Sequence, residues 1–323
     1  MQRDKEEQMK SGFRFRVLFL CSLFLISCSG ESAKSTQELL SQEINGNGTT
    51  ATFFSLDAME TTDDAFGSQK LSVADGQPCW RRKVDLSDSV KTIEILSETD
   101  TEVNVKVTVF VSGDLALSLD CFFDPLDPTS YGNKPFSVTA TRFGKFSKNP
   151  LGLVAVSPLE FDLTESTKQT VNIIQTDLIE GNGTVHTISD PAIPTEVSAL
   201  ASFTEGDQVT IEVTLGNKNA DDTPRATRVF LHSPDMRGKL LMVQGLDGAF
   251  TSTITIPSAG FHHLAVDALD EAVFVDETTD NYNGNGWLIP FQVVPSLLVS
   301  HIHSSVRMSL FRTKETDGLF SLL

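Results

Sequence analysis

Apolar residues recur at every second position over most of this chain, and no stretch sustains a helical repeat. Val103, Val105, Val107, Val109 and Val111 keep period two, and Leu115, Leu117 and Leu119 resume it beyond Ser112-Gly113-Asp114. Period two sends successive side chains to opposite faces, so the pattern predicts a half-buried strand, a turn at Ser112-Gly113-Asp114 and a returning strand. Ile93 and Ile95 predict a strand before this hairpin. Weaker strands are expected at 136–141, 153–156, 169–175 and 184–188. Asp190-Pro191-Ala192-Ile193-Pro194 reads as a stiff joint, because proline fixes its own backbone and restricts the residue before it. Beyond the joint, alternation returns at 209–215, 227–231, 240–243, 250–256, 264–268, 273–275 and 287–293. The expected class is all-β: an N-terminal β domain over 51–190 and a second β-sandwich over 195–294.

Before the strands the pattern is different. Residues 17–28 read VLFLCSLFLISC, a short apolar run preceded by Arg14 and Arg16 and followed by Ser29 and Gly30. A permanent membrane helix needs roughly 20 apolar residues. A shorter run with basic residues before it and small residues after it fits a secretory signal peptide instead. Residues 1–8 carry three acids, whereas a start at Met9 would leave three bases and no acid before the apolar core, so Met9 is the expected start over Met1. Residues 28–50 are small and polar and contain the breaker Asn45-Gly46-Asn47-Gly48. They are expected to be a flexible tether with one weak helical turn at 37–44. Periodicity leaves 51–82 open, and 295–323 is expected to be a tail of uncertain structure.

Two resemblances follow from these residues. Leu25-Ile26-Ser27-Cys28 resembles the lipobox of bacterial lipoproteins, which implies a signal peptide over 1–27 and lipidation at Cys28. The lipid bilayer is then a partner through the acylated cysteine. Ser29, standing where an aspartate would favour inner-membrane retention, tilts the implied address to the outer membrane, periplasmic or surface-exposed. The second resemblance lies at Asp247-Gly248-Ala249-Phe250, the strand after it, and Ala259-Gly260-Phe261-His262-His263-Leu264. This is similar to the end of many bacterial immunoglobulin-like or fibronectin-III-like modules and implies spacing, adhesion or ligand display. His263 departs from that pattern, and no Cys…Trp…Cys spacing supports an antibody-like core disulfide.

Charge narrows the partners. The chain of 323 residues carries a formal net charge of −18, and loss of residues 1–27 would leave −20. Such a surface repels phosphate backbones, which argues against nucleic acid. A protein or a glycan is the expected partner, of unknown identity. Of the four cysteines, Cys21 leaves with the signal and Cys28 is the lipid site, so Cys79 and Cys121 remain as an even pair in an exported chain. A disulfide between them is expected. It would close a loop of about 43 residues and contribute roughly 4 kcal/mol on the chain-entropy model.

Candidate chemistry is sparse. There is no Gly-x-Ser-x-Gly elbow and no His-Glu-x-x-His motif, so no catalytic residue is assigned. His262 and His263 are neighbours on a predicted strand and point to opposite faces, one expected exposed and one packed. His301 and His303 would share a face if extended. The loop with Asp276, Asp280, Asn281, Asn283, Asn285 and Gly286 has the alternating oxygens of a calcium loop. It lacks the first aspartate and has Gln292 at the twelfth position, so calcium is a weak expectation and no other cofactor is assigned. Asp267 and Asp270 are the nearest approach to a glycan-hydrolysing carboxylate pair. The favoured reading is a membrane-anchored, non-catalytic binding or structural module, with an envelope assembly factor and a glycan-active enzyme behind it.

Overall fold

Three long strands form one wall of the molecule. In the computed structural model, which describes residues 34–56, 79–118, 132–163, 170–216, 226–233, 239–275 and 282–296, β1 (Cys79–Glu98) pairs antiparallel with β2 (Glu102–Ser118), and β2 with β3 (Gly132–Lys148). The valines at 103, 105, 107, 109 and 111 are all buried on one face of β2, as their spacing requires. The expected hairpin turn is absent. Ser112 pairs with Asp85 on one side and Ser137 on the other, and β2 runs straight through Gly113 and Asp114. A central strand offers those backbone groups ladder partners on both edges, which outweighs local turn preference. The alternation also keeps its phase from Val103 to Leu117, as an uninterrupted strand would.

The sheet continues through β4 (Leu151–Val156), which flanks β3, and β5 (Leu159–Leu163). It then reaches β16 (Gly284–Val294), β15 (Gly260–Asp270), β11 (Thr227–His232) and β12 (Leu240–Leu241). Two short strands, β8 (Thr195–Glu196) on β4 and β9 (Ser202–Thr204) parallel to β16, complete eleven. A second sheet of five strands has the order β13 (Val243–Gln244), β14 (Phe250–Thr255), β10 (Gln208–Leu215), β6 (Ile173–Glu180) and β7 (Val185–Ile188). The fold is all-β and sandwich-like.

The joint at 190–194 does not separate the sheets. β5, from before it, pairs with β16 at Phe161–Gly286 and Leu159–Leu288, while β6 pairs with β10 along seven registered positions. Residues 195–294 therefore share both sheets with residues 151–188. Their own strands leave edges that β5 and β6 cover, and a paired edge satisfies backbone groups that an isolated module would leave to solvent. Residues 273–275, expected as a strand, form the short helix α3 (Ala272–Val275), whose first amide donates to Asp270 Oδ1 at 2.9 Å. α1 (Thr36–Asn45) and α2 (Thr49–Phe53) precede it in the chain.

Two cores result. Val229, Leu231, Leu264, Val266, Trp287, Ile289 and Phe291 project from the large sheet toward Val209, Ile211 and Val213 of the small one. The alternate residues, Phe230, Ala265, Leu269 and Leu288, point to the opposite face, where they meet the inward valines of β2. The large sheet rolls over on itself to enclose them: Lys239, next to β12, donates to the Trp80 carbonyl of β1 at 3.1 Å, and the Trp80 and Phe230 rings are 5.2 Å apart.

One region of the roll is covered by the segment expected to be a tether. Ser35 and Glu38 form a reciprocal capping box at the start of α1, with Glu38 N to Ser35 Oγ at 3.3 Å and Ser35 N to Glu38 Oε2 at 2.8 Å. Those bonds hold the Glu38 carboxyl below its ordinary pKa. Leu40 and Ile44, one turn apart, are fully buried, as are Phe53 and Phe54 at the end of α2. Residues 34–56 are thus a packed plug and not a tether. The stripe is two residues long, too short to register as a helical period, and only the interior of the roll gives it something to bury against.

Candidate functional site

A charged network crosses the interior of the roll. Arg82 enters from β1, Asp267 from β15, His232 from β11, and Tyr282 from the approach to β16. Arg82 Nη2 donates to Asp267 Oδ1 and to Tyr282 Oη, each at 2.9 Å, and His232 Nε2 lies 2.6 Å from Asp267 Oδ2. The guanidinium carbon also sits 5.6–5.8 Å from the ring centroids of Trp80, Phe136 and Phe161, which suits a weakly hydrated planar cation. Lys239 Nζ lies 2.9 Å from the Trp80 ring centroid.

These groups tune one another. Burial opposes ionisation of Asp267, but the Arg82 charge and the His232 bond outweigh it and hold the carboxyl well below the usual range. Arg82 is held above its ordinary value because the charges and hydrogen bonds of Asp267 and Tyr282 exceed the cost of burial. Burial lowers His232 despite its bond to Asp267, so the ring is neutral and donates to the carboxylate from Nε2. Burial also drives Lys239 well below the ordinary lysine range and raises Tyr282. The network pairs one carboxylate with one guanidinium, and His232 joins it as a neutral ring. Asp267 is 1% exposed and Arg82 2%, so no substrate reaches them as they stand. Chemically this is a tie that fixes how β1 closes over β15 and β11.

Further along the same interior lie Arg142 of β3 and His263 of β15. Arg142 is completely buried and, among the described residues, has one hydrogen bond, from Nη2 to the Leu288 carbonyl at 2.8 Å. Burial pushes its pKa down to about 9. His263 is held neutral down to about 3, first by burial and then by the charges of Arg142 and His262.

An open cleft lies elsewhere, between the β6–β7 hairpin and the segment that follows the 190–194 joint. Its volume is about 280 Å³, and Leu178, Ile193, Leu200, Thr187, Ser189 and Asp190 are among its walls. At its rim His186 Nε2 pairs with Glu180 Oε1 at 2.9 Å. Just behind, burial and the charge of Asp162 raise the Glu160 carboxyl. The volume is at the lower end of ligand-holding clefts, and the mixture of apolar wall and hydroxyls suits a small amphipathic group.

The residues singled out from sequence fall in several places. Cys28, Cys121, Asp276, Asp280, Asn281, His301 and His303 lie outside the described residues. Cys79 opens β1, its backbone across from Ser118, three residues before Cys121. Asn283 and Asn285 are buried and used as ties. Asn283 Oδ1 accepts from Thr170 N at 3.2 Å, and Asn285 Oδ1 accepts from Ile173 N at 3.0 Å. Their amides donate to Asp270 Oδ2 at 3.1 Å and Asp162 Oδ1 at 2.6 Å. Gln292 is an interior position of β16, paired with Phe261. Among the described residues, no three His, Cys, Asp or Glu side chains are grouped to hold a metal ion. His262 and His263 do face opposite ways, but both are buried: His262 stacks on Phe291 with centroids 5.6 Å apart. Asp267 and Asp270, three positions apart on one strand, also face opposite ways, and both are buried, so they do not make a carboxylate pair across a cleft.

Sequence reasoning missed Arg82, Arg142, His232, Lys239 and Tyr282. A signal existed for the arginines. Arg82 is in phase with Trp80 and Val84, and Arg142 with Phe136, Val138, Ala140 and Phe146, so each places a charge at an inward position. No protein-family model matches this chain, and a search of the curated proteins finds no match.

Proposed function

We propose that this protein is a bacterial envelope lipoprotein, anchored through acylated Cys28, that acts as a non-catalytic binding or structural module. The observation that carries the reading is Leu25-Ile26-Ser27-Cys28 at the end of a short apolar run with Arg14 and Arg16 before it. Ser35, which caps α1, is seven residues from Cys28, a reach of at most about 25 Å when fully extended. A lipid on Cys28 therefore holds the body against the bilayer surface. The charged network is sealed among apolar side chains, which suits a rigid scaffold, and the cleft beside the β6–β7 hairpin is where a small group of a glycan or protein partner would seat.

Labelled palmitate fed to expressing cells tests the anchor. Label is expected on the wild type and absent from Cys28→Ala, which should also leave the membrane fraction. Equal label on both would overturn the proposal. A second reading, a partner-holding assembly factor, is favoured by Val243 and Leu246, apolar residues exposed at the β13 edge of the small sheet. Cross-linking from Leu246 in membranes, with identification of the captured protein, separates the two.

A further inference from the structure

Polar atoms sealed in an apolar interior are almost always hydrogen-bonded, because an unmet donor forfeits its hydration without return. Arg142 departs from this rule at two atoms: its Nε and Nη1 have no hydrogen-bond partner and no access to solvent among the described residues. His263 departs from it at Nε2, which is a donor in the Nε2–H tautomer of the neutral ring. Both side chains lie on the inward face of the roll, in phase with Ala140 and Phe146 on β3 and with Ala265 and Asp267 on β15. Arg142 reaches the Leu288 carbonyl, and Leu288 is paired with Ala265, two positions from His263 on the same face of β15.

Among the described residues, no carboxylate within the roll compensates Arg142. Both oxygens of Asp267 are already engaged, Oδ1 by Arg82 and Oδ2 by His232. No ion pair among the described residues reaches Arg142, and its cross-strand neighbour Val107 is apolar. A buried guanidinium without a counter-charge costs several kcal/mol. Among the described residues, Arg142 thus presents a positive charge without a counter-charge and unmet donors at Nε and Nη1.

We infer that Arg142 and His263 form an internal anion site that takes a single halide-sized monovalent ion, chloride being the physiological case. One negative charge matches the one guanidinium, and a spherical ion accepts N–H donors from several directions at once. Phosphate and sulfate are disfavoured: a second charge would be buried unpaired, and their additional lone pairs would find no donors. The plug lies directly over this region. The Phe53 ring of α2 meets His263 at 6.0 Å between centroids, and Phe54 presses so closely on Gly144, two positions from Arg142, that a Cβ there would lie 2.9 Å from its Cζ. Exchange of the ion consequently requires residues 34–56 to loosen, so binding stabilises the plug.

The test uses the mature chain in sodium gluconate, whose bulky anion cannot enter, with chloride or bromide replacing gluconate at constant ionic strength. A saturable rise in Tm of roughly 5 °C is expected. Arg142→Met should abolish the salt dependence, since it removes the charge that needs compensation. Bromide soaked into wild-type crystals gives a reading that needs no variant: an anomalous peak within hydrogen-bond reach of Arg142 Nε or Nη1. The inference is overturned by a Tm indifferent to the exchange, by an equal chloride effect in Arg142→Met, or by interior water alone beside Arg142 with bromide only at the surface.

Discussion

Replacing Asp267 by asparagine keeps the shape of the side chain and removes its charge, which makes it the sharpest probe of the network inside the roll. Arg82, 2% exposed, would then hold its guanidinium against an amide, while Tyr282 Oη and the faces of Trp80, Phe136 and Phe161 still compensate it in part. Breaking a buried ion pair by removing one partner costs about 3–5 kcal/mol. Because that compensation survives, about 3 kcal/mol is expected, a large part of the roughly 5–15 kcal/mol available to a folded domain. Arg82→Met together with Asp267→Asn removes the stranded charge, so the double variant should be more stable than the sum of the single effects predicts, by about 2 kcal/mol. Urea unfolding followed by tryptophan fluorescence is the assay: Trp80 stands over Arg82, and Trp287 reports the other core. The sign of the pH dependence is also fixed. A carboxyl held below its usual range stabilises the fold above that range and loses this contribution as pH falls. The gap between wild type and Asp267→Asn should therefore be full at neutral pH and narrow below about pH 4. A cost under about 1 kcal/mol at pH 7, or strict additivity in the double variant, would refute the reasoning.

Other expectations concern further positions. Gly286 faces Phe161 and Asp267 so closely that a methyl would fall well inside van der Waals contact with the ring and 2.9 Å from Asp267 Oδ1. Gly286→Ala should cost about 1–3 kcal/mol in urea unfolding, whereas Gly152→Ala, with its nearest neighbour at 3.7 Å, should be close to neutral. His263 is neutral in the fold down to about pH 3 but takes up a proton near 6.5 when unfolded, so stability rises with pH across that window. The slope from this residue is about 1.4 kcal/mol per pH unit in gluconate buffer, and His263→Leu should lose it; parallel wild-type and variant curves would count against the burial argument. Leu40→Ala should lower stability by about 2–5 kcal/mol because α1 is part of the core, and a neutral result would restore the tether reading. Thiol counting under denaturing, non-reducing conditions should find Cys79 and Cys121 unreactive until a reductant is added.

The sequence by itself determined the strands. Alternation at Val103 through Leu117 and at Val209 through Leu215 records which side of a pleated backbone meets water, and that information is local. It also displays the apolar run that ends at Cys28 for the same reason: a contiguous apolar run needs no partner to be recognised. It also held, unread, the two inward arginines, since Arg82 and Arg142 break an apolar phase without shifting it. What only the tertiary structure decided is non-local. Whether Ser112-Gly113-Asp114 turns depends on strands 25 residues away being present on both edges, as Ser112 paired with Ser137 makes plain. Whether 190–194 divides the protein depends on β5 meeting β16 at Phe161 and Gly286, a contact that neither stretch announces alone. Whether residues 34–56 pack depends on a roll with room to receive Leu40, Ile44 and Phe53. The charged network belongs to this second kind. Arg82, His232, Asp267 and Tyr282 are scattered over 200 positions, and they come together because a twisted sheet of eleven strands closes over its own face.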